Sequence, residues 1–287
     1  MPADRLQLQR YELKYSLDAA TAQAVRGFVS QYLDLDEFGM GRPLGAYPVN
    51  SLYLDSADLA MFHQWVDAAR NRYKLRLRFY DEDPETPVFL EIKRRCLECI
   101  LKQRCSVKQS AVPLVLAGQF PPLDLLHSRE PKHQAALLDF ISAVQHLRAR
   151  PTLFVRYLRE AYLDLKSNAV RVTLDHQVRM VPQATLDFSP RMDAFVQPFG
   201  DRIILEIKFT NRFPRWAGEM VRALGLVREG AAKYCEGVAN LWYPQHAHWQ
   251  SGPQARPPGL GSGFQRPGRQ RTAHPPEKEA MTGMKSL

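Results

Sequence analysis

The feature that most constrains the fold is a tetrad, Leu-Glu-Ile-Lys, that occurs twice, at Leu90–Lys93 and at Leu205–Lys208. A third Glu-x-Lys pair opens the chain at Glu12 and Lys14. In each case charged and apolar residues alternate with period two, which a β-strand turns into one charged and one apolar face. The run from Tyr73 to Tyr80 repeats the pattern, with Lys74, Arg76 and Arg78 on one face and Leu75, Leu77 and Phe79 on the other. A polar segment with two prolines, Asp81 to Pro87, separates it from the alternating run Val88 to Arg95, so the two runs read as a hairpin. A solvated face on a two-layer sheet accounts for one such strand. It gives no reason for a carboxylate and an ammonium to recur together on three well-separated strands, whereas a closed antiparallel sheet with a charged lumen does. The expected fold is therefore α+β, a closed antiparallel β-tunnel with helices packed outside.

The remaining periodicity fills in this plan. Strands are expected at Arg10 to Leu17, Val49 to Asp55, Ile100 to Val107, Pro151 to Asp164, Val170 to Asp175 and Ile203 to Phe209. A helix from Ala19 to Leu33 carries Asp18 or Ser16 as its N-cap, and a Gly/Pro-rich loop, Asp34 to Pro48, follows. Further helices are expected at Leu59 to Ala69 and Pro214 to Leu224, with short outer helices between Val112 and Arg148. A last helix begins within Arg228 to Gly237.

After Pro244 the apolar periodicity stops, so residues 1–244 read as one domain and 245–287 as a disordered, basic Gly/Pro-rich tail. That tail holds six Lys/Arg against two Asp/Glu, leaving thirty-three against twenty-eight before it. The domain is thus only mildly basic overall, and any preference for anions must come from concentrating charge in one place.

No apolar run approaches the roughly 20 residues of a membrane span, and the N-terminus lacks a signal-peptide layout, so a cytoplasmic location is expected. Cys96-x2-Cys99, with Cys105 nearby, lacks the further Cys or His pair that a structural zinc site needs and reads as reduced thiols in a hairpin turn. There is no phosphate-binding Gly-rich loop, no kinase-type loop and no recognised nucleic-acid module.

Collecting the in-phase charges gives Lys14, Arg76, Arg78, Lys93, Lys102, Arg104, Arg159 and Lys208 as cations, with Glu12, Glu91 and Glu206 as carboxylates. Converging on one interior, so many cations would repel one another at prohibitive desolvation cost, and they call for a polyanion. Phosphate chains fit, because Arg forks take phosphate oxygens bidentately and Lys adds compact charge. The few carboxylates, Glu12 and Glu206 among them, suit Mg2+ or Mn2+. Glu91, flanked by Lys93 and Arg95 on its own face, reads as a group that orients neighbouring cations.

At these residues the chain resembles the VTC, or polyphosphate polymerase, domain of the triphosphate tunnel metalloenzyme superfamily. The resemblance spans about residues 8–243. It rests on nine segments in order: Arg10–Tyr15, Asn50–Asp55, Lys74–Arg78, Leu90–Lys93, Lys102–Arg104, Arg156–Tyr162, Arg171–Asp175, Leu205–Lys208 and Ala232–Tyr234. It implies metal-dependent transfer of the ATP γ-phosphate to polyphosphate inside the tunnel. Lys14, Arg76, Arg78, Lys93, Arg159 and Lys233 would be phosphate ligands, Tyr157 a donor to phosphate, and Glu206 the metal ligand. Arg76, Arg78 and Arg159 would stabilise the transferring group.

Three positions depart from the family pattern. Arg10 stands where the superfamily often has Glu, Ala232 where the closing motif usually has Ser, and Gly230 where the polymerase has another Lys. A non-catalytic module for polyphosphate or inositol polyphosphate, and a triphosphate hydrolase, are the alternatives. A chain ending at Pro244 is expected to unfold cooperatively with an unchanged melting temperature, since the tail has no apolar face to bury. Loss of cooperativity on truncation, followed by circular dichroism, would contradict this.

Overall fold

The structure, a computed structural model, describes residues 10–96, 99–164 and 169–244; the expected tail lies outside them. In chain order the elements are β1 (Arg10–Leu17), α1 (Ala19–Val29), β2 (Asp34–Leu35), β3 (Ala46–Asp55), α2 (Ala60–Val66), β4 (Asn71–Phe79), β5 (Val88–Cys96) and β6 (Cys99–Val107). Then come α3 (Val112–Leu116), α4 (Pro131–Leu147), β7 (Arg150–Leu163), β8 (Val170–Pro182), β9 (Ile203–Thr210), α5 (Arg215–Ala223) and α6 (Lys233–Trp242). The strands form one nine-stranded antiparallel sheet in the order β1-β9-β8-β7-β3-β4-β5-β6, with β2 paired to β7. It curls far enough for Glu12, on edge strand β1, to reach Lys93 on β5 at 3.2 Å. The free edge of β1 is covered by the segment before α6, through the bridge Tyr15–Arg228 and the Glu229 N–H on the Lys14 carbonyl. Among the described residues no ladder joins the edges β1 and β6; the closing contact is the side-chain pair between β1 and β5.

Alternation puts the apolar residues of each strand outside, under the helices. α1 and α5 cover β1, β8 and β9 through a cluster including Val25, Val29, Leu174, Leu205, Ile207 and Met220. α2, α3 and α4 cover the other half, where Leu75, Leu77, Leu90 and Ile92 pack with Phe62, Val115, Phe140 and Val144. Asp18 caps α1 by accepting from the Thr21 N–H. Asp55 holds the start of α2 by accepting from the Met61 and Phe62 N–H groups.

Several boundaries differ from the periodicity reading. The Asp34–Pro48 stretch is not one loop: it holds β2, two 3-10 turns and the first residues of β3. Pro48 sits in β3 at a level where β3 pairs with β7 but not with β4, the kind of edge position that tolerates a residue without an N–H. β8 runs seven residues past Asp175. A bulge there, with Gln177 at φ 52°, shifts the register against β7 between Arg156 and Leu158, so the alternation changes phase. Before the bulge Arg171, Thr173 and Asp175 face inward. After it the inward positions are Val178 and Met180, with Met180 opposite Val155.

That apolar end of the tunnel is filled by α6. Tyr234 stacks on Tyr53, and its hydroxyl donates to Asp55. Gly237 lets the helix approach: a Cβ there would meet Met180 Sδ at 2.5 Å and Leu153 Cδ2 at 2.6 Å. Gly237→Ala is expected to destabilise the protein by about 1–3 kcal/mol through overpacking, read as a lower urea midpoint with an unchanged m-value. An unchanged midpoint would mean that α6 is not seated this tightly.

Candidate functional site

The inward face of the sheet carries the charges. Register aligns Arg76, Glu91 and Arg104 across β4, β5 and β6, and aligns Lys14 with Glu206 and Glu12 with Lys208 across β1 and β9. Four carboxylates, three of them buried and Glu12 partly so, each hold several cations. Glu91, 1% exposed, lies 2.5 Å from Arg76 Nε, 2.8 Å from Lys102 and 3.3 Å from Arg104. Its partners come from the adjacent strands, which corrects the reading that set it between Lys93 and Arg95 on its own strand. Glu206 lies 2.8 Å from Lys208, 3.1 Å from Lys14, 3.7 Å from Lys233 and 3.8 Å from Arg159. Glu12 contacts Lys14 and Lys93, each at 3.2 Å. Asp175 takes both arms of Arg159, at 2.6 and 2.7 Å, and Lys233 at 2.6 Å.

Every candidate from the sequence thus meets in one interior: Lys14, Arg76, Arg78, Lys93, Lys102, Arg104, Tyr157, Arg159, Lys208, Lys233, Glu12 and Glu206. Lys233 is no surface lysine. It opens α6, is 8% exposed, and points into the tunnel at Asp175 and over the Tyr157 ring.

Periodicity reasoning passed over three groups. Asp175 shares the phase of Arg171 and Thr173, a signal that was available. Ser51 and Tyr53, on β3, reach Arg78 and Arg76. Arg78 differs from its neighbours. It is 6% exposed and donates to hydroxyls, those of Ser51 at 3.4 Å and Tyr157 at 3.1 Å, with no carboxylate within ion-pair distance among the described residues.

Burial acts on every charge here, and the neighbours decide the outcome. Burial alone would raise the carboxyl of Glu206, but Lys14, Lys208, Lys233 and Arg159 hold it well below its ordinary value. Against burial and repulsion from Glu206, Lys14 and Lys93 bring Glu12 down to about 2. Asp175 also falls to about 2, as Arg159 and Lys233 outweigh burial. Lys93 and Lys102 go the other way. Burial lowers each to about 8, and Glu12 and Glu91 offset it only in part.

For a divalent metal, Glu12 and Glu206 could serve as donors, two deprotonated carboxylates on adjacent strands that share Lys14. Among the described residues no cluster of three or more His, Cys, Asp or Glu forms a protein-only metal cage. Two carboxylates suit Mg2+ or Mn2+, which take most of their ligands from phosphates and water. Two of the cysteines lie elsewhere: Cys96 is exposed at the end of β5 and Cys105 is buried outside the tunnel, both as free thiols.

The family model for the VTC domain matches residues 9–242. The chain belongs to the VTC domain family. Among solved structures, this VTC domain is similar to a provisionally assigned adenylate cyclase from Bacillus halodurans, at 12% identity and a TM-score of 0.45, covering 78% of this chain and 94% of that one. It is also similar to the PH1819 protein from Pyrococcus horikoshii OT3, at 13% identity and a TM-score of 0.39, covering 76% and 92%. No curated protein matches in sequence. Among the described residues no helix of the VTC domain is long and apolar enough to cross a membrane. Family and basic tunnel together support a role in phosphoryl transfer or in binding phosphate chains.

The two depressed lysines make a pH prediction. Their folded pKa of about 8 lies below the ordinary 10.5, so below pH 8 both folded and unfolded chains hold the protons. There the penalty of charging them is fully present. As pH rises toward 10.5 the unfolded chain holds more protons, and the empty protein gains stability. A bound phosphate chain favours the charged lysines, so tripolyphosphate binding at about pH 8.5 should take up protons and binding at about pH 6.5 should not. Calorimetry in buffers of different ionisation enthalpy reads this directly, and buffer-independent heats at the higher pH would refute it.

Proposed function

We propose that this VTC domain is a polyphosphate polymerase-like phosphotransferase, passing the γ-phosphate of ATP to a phosphate chain with Mn2+ or Mg2+. The observation that supports it most is Arg78, a buried guanidinium held by hydroxyls, between Arg76 and Arg159, which are held by carboxylates. Ion pairing fixes Arg76 and Arg159 in place, while Arg78 keeps its charge uncompensated by a direct partner. A phosphate entering here finds one pre-aimed cation with no carboxylate to displace and two cations already oriented.

The hydroxyls act as donors. Tyr157 and Ser51 accept hydrogen bonds from Arg78, and Tyr53 accepts one from Arg76, so each retains its own proton for a phosphate oxygen. Phosphoryl transfer needs in-line alignment and neutralisation of charge on the equatorial oxygens rather than a covalent enzyme intermediate, and this set supplies both. Glu206 and Glu12 would hold the metal, which would supply Lewis-acid neutralisation of the charge developing on the phosphates. Lys14, Lys93, Lys102, Arg104, Lys208 and Lys233 bind the rest of the chain as compact or forked positive charge.

Ala232 and Gly230, where the polymerase pattern has a hydroxyl and a lysine, favour a second reading in which the tunnel holds polyphosphate or an inositol polyphosphate without turnover. Incubation with ATP and Mn2+, with products resolved on a gel, separates the readings: lengthening chains support the polymerase, released phosphate a hydrolase, and neither a binding module. Arg78→Ala should lower turnover roughly 10²–10³-fold. Glu206→Gln should abolish metal-dependent turnover yet leave tripolyphosphate affinity in EDTA nearly intact. Glu91→Gln should weaken tripolyphosphate binding with or without metal, by releasing Arg76, Lys102 and Arg104. Equal losses for the two glutamate variants under both conditions would remove Glu206 as the metal ligand.

A further inference from the structure

On the outer side of the wall that carries Tyr157 and Arg159, two arginines stand directly opposite each other. Arg156 on β7 and Arg179 on β8 are register partners beside the bulge, and both are partly buried. Tyr157, the next residue of β7, faces the lumen and meets Arg78 through its hydroxyl, so alternation turns Arg156 outward. Like charges directly opposed destabilise a sheet. Where the lumen opposes Lys93 and Lys102, Glu12 and Glu91 hold them. Among the described residues Arg156 and Arg179 have no ion pair; they are braced instead. Arg156 Nη1 donates to the Pro190 carbonyl at 2.7 Å. Met180 and Val196 exchange backbone hydrogen bonds at 2.9 Å, which sets Phe195 against Arg179, its ring centre 4.6 Å from the guanidinium carbon. Arg179 Nε is buried and without an acceptor among the described residues.

Tying down the Pro190 loop accounts for Arg156, and the ring contact accounts for one face of Arg179. Neither accounts for a second guanidinium placed opposite the first with a buried N–H unused. An oxyanion does, because it cancels the repulsion and accepts from the free N–H. A carboxylate brings a single charge, whereas a phosphate dianion matches two guanidiniums in charge and has oxygens enough for both forks. We propose that Arg156 and Arg179 form a second anion site, on the outer wall of the tunnel, that takes one phosphate dianion, free or as a monoester. It stands back to back with the lumen across β7 and does not depend on what the lumen binds. Phe195, 40% exposed, offers an apolar surface beside it for the organic part of a monoester.

The test is heteronuclear NMR of the full chain, following the side-chain Nε–H signals of the two arginines, assigned with Arg156→Lys and Arg179→Lys. These signals report the outer site whatever the tunnel holds, and burial of Arg179 Nε slows its exchange with water. At about pH 7.5, where phosphate is mostly dianionic, inorganic phosphate should shift the Arg179 signal saturably, and chloride at matched ionic strength should not. Arg156→Gln should raise the phosphate concentration needed about tenfold or more, the scale of a lost charged hydrogen bond. Phenyl phosphate distinguishes the sources: tighter binding than inorganic phosphate marks a monoester site, and equal or weaker binding a site for the free ion. A urea melt in chloride separates a ligand from a structural brace, because Arg179→Gln relieves the repulsion and should leave the midpoint unchanged or higher. An Arg179 signal that ignores phosphate, a shift that chloride reproduces, or a midpoint that falls in Arg179→Gln would overturn the outer site.

Discussion

The structure depends on holding a surplus of positive charge inside a protein without a dry interior and without collapse. Glu12, Glu91, Asp175 and Glu206 do this by sharing: each touches two or more cations, while among the described residues Arg78 and Lys74 lie on the same face without a carboxylate at ion-pair distance. Breaking such a pair leaves an uncompensated buried charge, far more expensive than the pair is favourable. An anion that enters therefore competes with carboxylates for cations that are already placed. Multivalent anions win that exchange, because several oxygens act at once, while a monovalent ion gains too little from any one contact.

The rest of the fold follows from that interior. The apolar alternate residues need cover on the outside, and two helix-lined cores provide it, one over β1, β8 and β9 and one over β4 to β6. Inside, the chain separates polar from apolar along the tunnel axis with one bulge. Gln177 changes the phase of β8, so that Asp175 faces cations and Met180 faces the closing helix. A regular strand would have turned Gln177 and Arg179 inward, placing another guanidinium where α6 must pack.

Most of the tunnel was legible because period two survives in a single sequence. Lys74–Arg78, Glu91–Lys93 and Glu206–Lys208 declared their faces, and the structure brings those faces together. What was hidden had a physical cause in each case. Pro48 masked the first half of β3, since proline is expected only where a ladder bond is not needed. The bulge at Gln177 ended the alternation early and concealed the second half of β8. Asp175, last in phase before that break, looked like a strand terminus rather than the anchor of Arg159 and Lys233. Lys233 itself obeys no strand pattern, because it enters the tunnel from a helix N-terminus, and only the family likeness marked it. The covered edge of β1 depends on residues more than two hundred positions away, and no local pattern carries such information.

That distant pairing has a temporal meaning. β1 is the first of the described strands to be synthesised, yet its ladder partner is β9 and its free edge is covered by residues just ahead of α6. During translation β1 must wait, edge exposed, until nearly the whole domain has left the ribosome. Contacts so remote in sequence slow folding, since a large loop must close before they stabilise anything. The hairpins from β4 to β6 can form early, but Glu12, Glu206 and Lys233 come together only in the last step. The growing chain is thus kept from presenting a finished anion site before it has a finished fold.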